Sequence, residues 1–163
     1  METVDLDYVD CCILYSLQED TRRMSANTIA ERLDVSARTV RNRIDKLEES
    51  GVINGYRLDV NYQIAGYQLH TMVFCTAPIE GREEIAKEAV DVPGVVNVKE
   101  IMTGDQNLLV EVVGTDGDDL SRITSDLNEL GVHINDEDLI RNDYDTQFHE
   151  FDRCDDSSES TSK

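Results

Sequence analysis

Apolar residues in the first third of the chain recur at the spacing of short amphipathic helices. The first such pattern covers residues 6–18 and stops at Asp20 and Thr21, which break it. The second begins after Ser25, a residue type that caps helices, and it carries a narrow apolar face. The members of that face are Ile29, Ala30 and Leu33. Two short helices are therefore predicted before residue 34.

A third helical pattern follows a predicted turn at Asp34 and Val35. Ser36 is its expected N-cap, and Ser50 and Gly51 end it as a C-cap should. Its apolar face recurs at the i, i+4, i+7 spacing and consists of Val40, Ile44 and Leu47. Three short helices with a tight break before the last one predict a helix-turn-helix, in which the third helix enters the major groove of DNA.

The polar face of this third helix carries residue types that contact nucleic acids. Arg38 and Asn42 fall nearly opposite the apolar face, and such side chains reach base edges and phosphates. The predicted DNA-binding residues are Ser36, Arg38, Thr39, Arg41, Asn42, Arg43, Lys46 and, beyond the helix, Arg57. A helix of this kind met in isolation is more often an ordinary amphipathic helix with a solvated charged face. The prediction of DNA binding therefore depends on the two helices that precede it.

Alternation of apolar and polar residues continues after the third helix. Residues 52–60 enclose Asn54-Gly55 and predict a small wing or a first connecting strand. Further on, strands are predicted at residues 67–76, 95–102, 108–113 and 132–141, and helices at residues 80–90 and 116–130. The order βαββαβ indicates a ferredoxin-like α+β sandwich with both helices on one face of the sheet. A homodimer is the natural way to cover the other face.

The formal net charge of −20 changes this picture, because a phosphate backbone repels an acidic protein. The charge is unevenly spread, however. Residues 61–163 hold 7 Lys and Arg against 23 Asp and Glu, whereas residues 36–57 hold five basic against three acidic residues. One basic strip within an acidic, lysine-poor surface is typical of a protein from a salt-loving organism that has kept its DNA-binding face. The alternative is an acidic cytoplasmic protein without such a face.

Cysteines and histidines give no sign of a metal or cofactor site. The four cysteines form no CxxC motif, and the three histidines are isolated in the sequence. We therefore expect no metal and no cofactor, and a reducing cytosol is the simplest location. Ordinary packing is the simplest role for Cys11 and Cys12, with a thiol switch as the alternative. No apolar run approaches the ~18 residues of a membrane span, and the N-terminus lacks the regions of a signal peptide, so we expect a cytoplasmic protein with no membrane partner.

Three stretches together resemble the Lrp/AsnC, or feast/famine, family of transcriptional regulators. They are LDxxDxxIL at Leu6–Leu14, SARTVRNRIDKLEESGVINGY at Ser36–Tyr56 and TGDxNLLVEV at Thr103–Val112. The resemblance, haloarchaeal in character, covers residues 4–150. It implies a regulator that binds double-stranded DNA at a pseudo-palindromic operator as a homodimer or higher oligomer. The implied domains are a winged helix-turn-helix over residues 1–60, a ferredoxin-like effector-binding and oligomerisation domain over residues 61–152, and a disordered acidic tail over residues 153–163.

The resemblance also implies an effector site. In that family a small effector, often an amino acid, lies between sensing domains of neighbouring subunits, against the loop that holds a Gly-Asp pair. The implied effector-binding residues are Thr103, Gly104, Asp105 and Asn107. Asn107 departs from the family pattern, which often has a second acid at this position. Gly104-Asp105 would equally satisfy a simple hairpin turn.

Two other classes of function stand as alternatives. One is a small-molecule-sensing module that acts through protein partners, although the polar reach of Arg38 and Asn42 argues against it. The other is an enzyme that resembles the siroheme decarboxylases. Those enzymes carry a His/Tyr/Arg set just before the hairpin turn, where this chain has Val96-Asn97-Val98-Lys99. We therefore expect no catalytic residues.

Overall fold

The computed structural model describes residues 3–152, which form two compact units. The helical unit consists of residues 3–58 and 144–152 of the described chain, and the sheet unit of Asp59–Asp143. The first boundary lies within two residues of the predicted one. The second differs, because residues 144–152, predicted in the effector domain, belong to the helical unit. The predicted tail, residues 153–163, lies outside the described residues.

The helical unit contains three α-helices, each begun by a polar side chain. They are α1 (Tyr8–Asp20), α2 (Ala26–Leu33) and α3 (Ala37–Glu49). The predicted caps are confirmed, since the hydroxyls of Ser25 and Ser36 accept hydrogen bonds from the backbone N–H groups of Thr28 and Thr39 at 3.1 and 3.0 Å. Asp34 forms the predicted turn in a left-handed backbone conformation, with a φ of 51°.

The three helices enclose a small core. Its buried members are Ile13, Leu14, Ile29, Ala30, Val40 and Leu47. Ile44 packs against this core from α3, as predicted from its spacing. Because each helix contributes apolar side chains to one shared cluster, burial of the cluster fixes which face of α3 remains outside.

The predicted wing at residues 52–60 is wrong, since none of these residues lies in a strand. Val52 and Ile53 pack against the helical core, and both of their N–H groups donate to the carbonyl oxygen of Leu47, at 2.9 and 3.0 Å. The alternation therefore arose from two apolar residues that close the end of α3 and not from strand pairing. Residues 54–58 are exposed.

The sheet unit has the predicted order βαββαβ. Its elements are β1 (Leu69–Thr76), α4 (Arg82–Val90), β2 (Val95–Glu100), β3 (Leu108–Gly114), α5 (Gly117–Glu129) and β4 (His133–Leu139). The strands form one antiparallel sheet in the order β2-β3-β1-β4. Each predicted strand and helix is present, with ends that differ by a few residues. The ferredoxin-like α+β prediction is therefore confirmed.

The two faces of the sheet differ in what covers them. Alternate residues of β1 and β3, namely Val73, Cys75, Val110 and Val112, are buried in one core with Ala89 of α4 and with Ile123 and Leu127 of α5. Of the intervening residues, which face the other way, Val113 is buried and the following are half-buried: His70, Met72, Phe74, Leu109 and Glu111. This second face, which we call the open sheet face, is partly apolar and lies opposite the face on which α4 and α5 pack.

Candidate nucleic-acid interface

The start of α3 is fixed by Ser36. Its hydroxyl caps the helix and lies 2.8 Å from the hydroxyl of Thr39. Val40 is fully buried and Leu47 is 3% exposed, so the inner face of α3 is anchored along nearly its whole length. Rotation of α3 about its axis would remove both side chains from the core. The outward residues are therefore held in a fixed direction.

The outward face of α3 carries the predicted contact residues together. Arg38, Thr39, Arg41, Asn42 and Lys46 are all exposed. Within the described part of the chain, Arg38, Arg41 and Lys46 form no ion pair. Three basic side chains without an ion-pair partner in the described residues and one amide thus lie on one side of a single helix. Such groups can contact phosphates and base edges.

Arg43 differs from its neighbours, because α1 holds its guanidinium group. Its Nη1 atom lies 2.6 Å from Oδ2 of Asp7 and 3.1 Å from Oδ1 of Asp10. Arg43 is half-buried, and the side chain of Asp10 is only 11% exposed. The positive charge of Arg43 is therefore largely compensated by carboxylates within the helical unit. The sequence had predicted Arg43 as part of the DNA-binding strip.

Two carboxylates at the start of α1 form a reciprocal cap. Oδ1 of Asp7 accepts from the N–H of Asp10 at 3.0 Å, and Oδ2 of Asp10 accepts from the N–H of Asp7 at 3.2 Å. The hydrogen bond from the Asp10 N–H, followed by the guanidinium of Arg43, lowers the pKa of Asp7. The hydrogen bond to Asp7 in turn raises the pKa of Arg43. The network ties α1 to α3.

Arg57 is exposed and lies beyond α3, in a stretch without regular structure. Its neighbour Tyr56 attaches that stretch to the end of α3, because the phenol donates to Oε1 of Glu48 at 2.8 Å. Partial burial and the Glu48 carboxylate raise the pKa of Tyr56 to about 12, so its donating proton is retained at neutral pH. The sequence contains no signal that would have predicted this contact.

The predicted effector residues lie in the loop between β2 and β3. Thr103, Gly104 and Asp105 are exposed, and Gly104 has a φ of 104°, a conformation that favours glycine. The hydroxyl of Thr76, at the end of β1, lies 2.7 Å from the carbonyl oxygen of Asp105. The backbone of the loop is thus anchored, while the carboxylate of Asp105 stays in solvent.

Asn107 has a different position from the other three. It is 6% exposed, and its side chain is paired with one backbone unit: Oδ1 accepts from the N–H of Ala77 at 2.8 Å, and Nδ2 donates to the carbonyl of Ala77 at 2.9 Å. Its backbone N–H also donates to the carbonyl of Cys75. Asn107 therefore holds the loop against the end of β1 and presents no free amide to a ligand.

Both the sequence and the fold of the chain are similar to those of known proteins. A family model described as an HTH domain matches residues 13–68. The HTH-type transcriptional regulator LrpA1 of Halobacterium salinarum is 39% identical over 114 residues, which cover 70% of this chain and 79% of that protein. The chain belongs to the Lrp/AsnC family of HTH-type transcriptional regulators.

Solved structures agree with this Lrp/AsnC assignment at the level of the fold. The leucine response regulatory protein LrpA of Mycobacterium tuberculosis matches with a TM-score of 0.73 at 21% identity, over 86% of this chain and 96% of that one. A transcriptional regulator of Neisseria meningitidis, solved in complex with L-Met, matches with a TM-score of 0.69 at 22% identity, over 88% and 94% of the two chains. The relatives are transcriptional regulators and not enzymes.

The described residues of this Lrp/AsnC protein contain no cluster of three or more His, Cys, Asp or Glu that could hold a metal ion. None of the helices in residues 3–152 is long and apolar enough to cross a membrane. Cys11 and Cys75 are free thiols, and both are buried. Burial raises the pKa of the Cys75 thiol to about 12, which makes it a poor nucleophile.

Three structural contributors to these sites were missed from the sequence. Asp7 and Asp10 entered the sequence analysis only as part of the LDxxDxxIL stretch, and their role in capping α1 was not predicted. Their i, i+3 spacing before an apolar run is a capping-box signal. Ala77 was missed because its role is carried by backbone atoms, which leave no trace in residue type.

Proposed function

We propose that this regulator recognises a specific DNA sequence with Arg38, Thr39, Arg41 and Asn42 of α3. The observation that carries the proposal is the exposure of these side chains on a helix whose opposite face is fixed in a core. Arg38 and Asn42 are suited to bidentate contacts with guanine and adenine in the major groove. Ser36, Lys46 and Arg57 are assigned to phosphate contacts that would fix the register of α3 on the duplex.

Arg43 has a narrower role in this proposal. Its ion pairs with Asp7 and Asp10 use Nη1, so only the rest of the guanidinium group is offered to a phosphate. Arg43 then serves mainly to hold α1 and α3 together, and its substitution should lower the stability of the helical unit along with DNA affinity.

The second part of the proposal is a two-fold homodimer formed through the open sheet face. This face places Met72, Phe74 and Leu109 beside one another on β1 and β3. Next to them, Nε2 of His70 lies 2.5 Å from Oε1 of Glu111, which is a polar pair that needs no partner from another subunit. Burial of this apolar surface in an interface would remove it from water and stabilise the dimer.

Sedimentation velocity tests the dimer directly. Phe74→Asp should place a charge in the interface and shift the protein toward monomers at micromolar concentration. Ile79→Asp is the matched control, because Ile79 is 84% exposed in a loop outside the open sheet face. Equal sedimentation of both variants and the wild type as dimers would show that another surface forms the interface.

A two-fold dimer, which carries two helical units, should select a pseudo-palindromic operator. Its half-sites should lie about one helical turn, ~10 base pairs, or a multiple of it apart. Selection from a random DNA library with the purified protein tests this proposal. Enrichment of such a palindrome supports it, and the absence of any enriched sequence would leave the alternative, a sensing module that acts through protein partners.

The third part of the proposal is modulation by a small effector such as an amino acid, bound at the loop of Thr103, Gly104 and Asp105. An exposed carboxylate can accept from an ammonium group, and a glycine turn can offer N–H groups to a carboxylate. The L-Met complex of the Neisseria relative is what motivates this chemistry. Asn107 enters only as the residue that positions the loop.

Calorimetry with a panel of amino acids tests the effector site. Asp105→Ala should abolish binding while dimerisation and operator binding stay intact. No binding of any amino acid to the wild type, or undiminished binding to the variant, would exclude this loop as an amino-acid sensor.

A further inference from the structure

The last described residues return to the helical unit. Residues 144–152, which we call the C-terminal clasp, follow β4 yet pack with the start of the chain. Phe151 packs against the helical core, and the N–H of Phe148 donates to Oε1 of Gln18 in α1 at 2.8 Å. The rings of Phe148 and Phe151 meet edge to face, with centroids 5.0 Å apart. The helical unit is therefore built from both ends of the described chain, with the sheet unit inserted between them.

Two chain connections join the units, and both leave the sheet at the same end. One precedes Leu69, where β1 begins, and the other follows Leu139, where β4 ends. These strands are neighbours, and Thr71 is paired with Leu139 in their antiparallel register. The connections are therefore adjacent where they leave the sheet.

One connection is short, and the other is folded by internal hydrogen bonds. After β4, the N–H of Ile140 still donates to the carbonyl of His70 at 2.7 Å, so only residues 141–143 separate the sheet from the clasp. Four Cα-to-Cα steps span at most about 14 Å. The first connection folds on itself, since the N–H of Ile64 donates to Oδ1 of Asn61 and that of Tyr67 to the carbonyl of Tyr62.

We propose that the C-terminal clasp is a second anchor that limits the motion of the DNA-binding unit relative to the sheet domain. With the clasp docked, the helical unit is joined to the sheet unit by two chain connections. With the clasp released, residues 59–68 are the remaining connection. In a dimer, two doubly anchored units would have less conformational freedom to lose, which reduces the ordering cost of binding both half-sites. This inference rests on the proposed DNA-binding function and the proposed homodimer.

Docking of the clasp is tested first, without DNA. Phe151→Ala removes the apolar anchor, and Gln18→Ala removes the hydrogen bond to the Phe148 N–H from an exposed position. Hydrogen exchange of the Phe151 amide and of amides in the second half of α1 should speed up at least about tenfold in Phe151→Ala, while amides of β1 and β3 stay unchanged. Phe151→Leu, which keeps an apolar side chain, is the matched control.

The DNA test compares one half-site with two. Affinity of Phe151→Ala for the library-selected operator should fall by about tenfold or more, while its affinity for a single half-site should equal that of the wild type. Insertion of half a helical turn, ~5 base pairs, between the half-sites should weaken the wild type strongly and the variant much less. Gln18→Ala should show the same trends to a smaller extent, which keeps the test open if Phe151→Ala does not fold.

The outcomes separate the two proposals. Equal spacing preference of wild type and both variants, or unchanged hydrogen exchange, would overturn the clasp while leaving sequence-specific DNA binding intact. A wild type that selects no DNA sequence would overturn the proposed function, and the role of the clasp in half-site spacing would fall with it.

Discussion

Arg43 of α3 reaches back to Asp7 at the start of α1, with its Nη1 atom 2.6 Å from the carboxylate oxygen Oδ2. The same nitrogen lies 3.1 Å from Oδ1 of Asp10. One of the few basic residues of a chain with a net charge of −20 is thus used to join two helices. The basic strip that faces outward is correspondingly smaller, which leaves Arg38, Arg41 and Asn42 as the main proposed DNA contacts.

The lowered pKa of Asp7 makes the stability of the helical unit depend on pH. A carboxylate with a depressed pKa in the folded state stabilises the fold above its unfolded pKa of about 3.9, and this contribution is lost as pH falls toward the folded value. Asp7→Asn keeps a good N-cap but removes the charge, so at pH 7 it should cost ~0.2–1 kcal/mol, small because the side chains are partly exposed.

Urea unfolding of wild type and Asp7→Asn from pH 7 down to pH 3 measures this effect. The difference in unfolding free energy between the two proteins should shrink below about pH 4, as Asp7 becomes protonated in the wild type. A difference that is the same at both ends of the range would show that the charge of Asp7 contributes nothing.

Local signals made much of the fold predictable. Ser25, Ser36 and the Asp34 turn act on residues within a few positions, so their sequence spacing was sufficient to predict α2 and α3. The order βαββαβ followed in the same way from short periodic runs. The wing failed because Val52 and Ile53 find their partners in the helical core, and alternation over a few residues cannot distinguish such packing from a strand.

Contacts between distant parts of the chain could not be predicted. Nothing in the sequence around Arg43 indicates that residues some thirty positions earlier occupy its guanidinium group. Phe151, predicted in the effector domain, packs against the helical core, and the N–H of its neighbour Phe148 donates to Gln18 of α1. The loop of Thr103, Gly104 and Asp105 was correctly placed between two strands, but the burial of Asn107 against Ala77 depends on the fold.

Gly94 lies at a close approach between the loop before β2 and α5. Its φ is 103°, and a Cβ atom there would lie 2.4 Å from Cδ1 of Ile123 and 3.1 Å from the carbonyl oxygen of Val113. Gly131 has a similar φ of 85° with nothing within 4 Å. Gly131→Ala should therefore cost about 1 kcal/mol of backbone strain, and Gly94→Ala about 1–3 kcal/mol more because of the clash. Thermal unfolding measures both, and equal losses would mean that Ile123 moves aside freely.

Asn107 and Asp105 should respond differently to the same substitution. Asn107→Ala leaves the buried N–H and carbonyl groups of Ala77 without their partners, at a cost of about 1–3 kcal/mol for each. Asp105→Ala removes only an exposed carboxylate and should change stability by less than about 0.5 kcal/mol. Chemical unfolding of both variants checks this contrast. A destabilised Asp105→Ala would mean that its carboxylate stabilises the loop.

The acidic surface should make the fold require salt. Like charges repel one another when unscreened, so the melting temperature should rise with KCl concentration. The edge strand β4 carries Asp136, Glu137 and Asp138 in succession, and replacing the two aspartates by asparagine should weaken that dependence. Thermal melts from low to molar KCl test the prediction. A melting temperature that falls steadily as KCl is raised would contradict adaptation to high salt.

Competition between the selected operator and random DNA, measured for single alanine variants, tests the central claim most directly. Arg38→Ala and Asn42→Ala should each weaken operator binding by roughly 1–3 kcal/mol and weaken binding to random DNA less. Arg57→Ala, which removes a proposed phosphate contact, should weaken both alike. Equal losses on operator and random DNA for Arg38→Ala and Asn42→Ala would contradict the claim that α3 reads the base sequence.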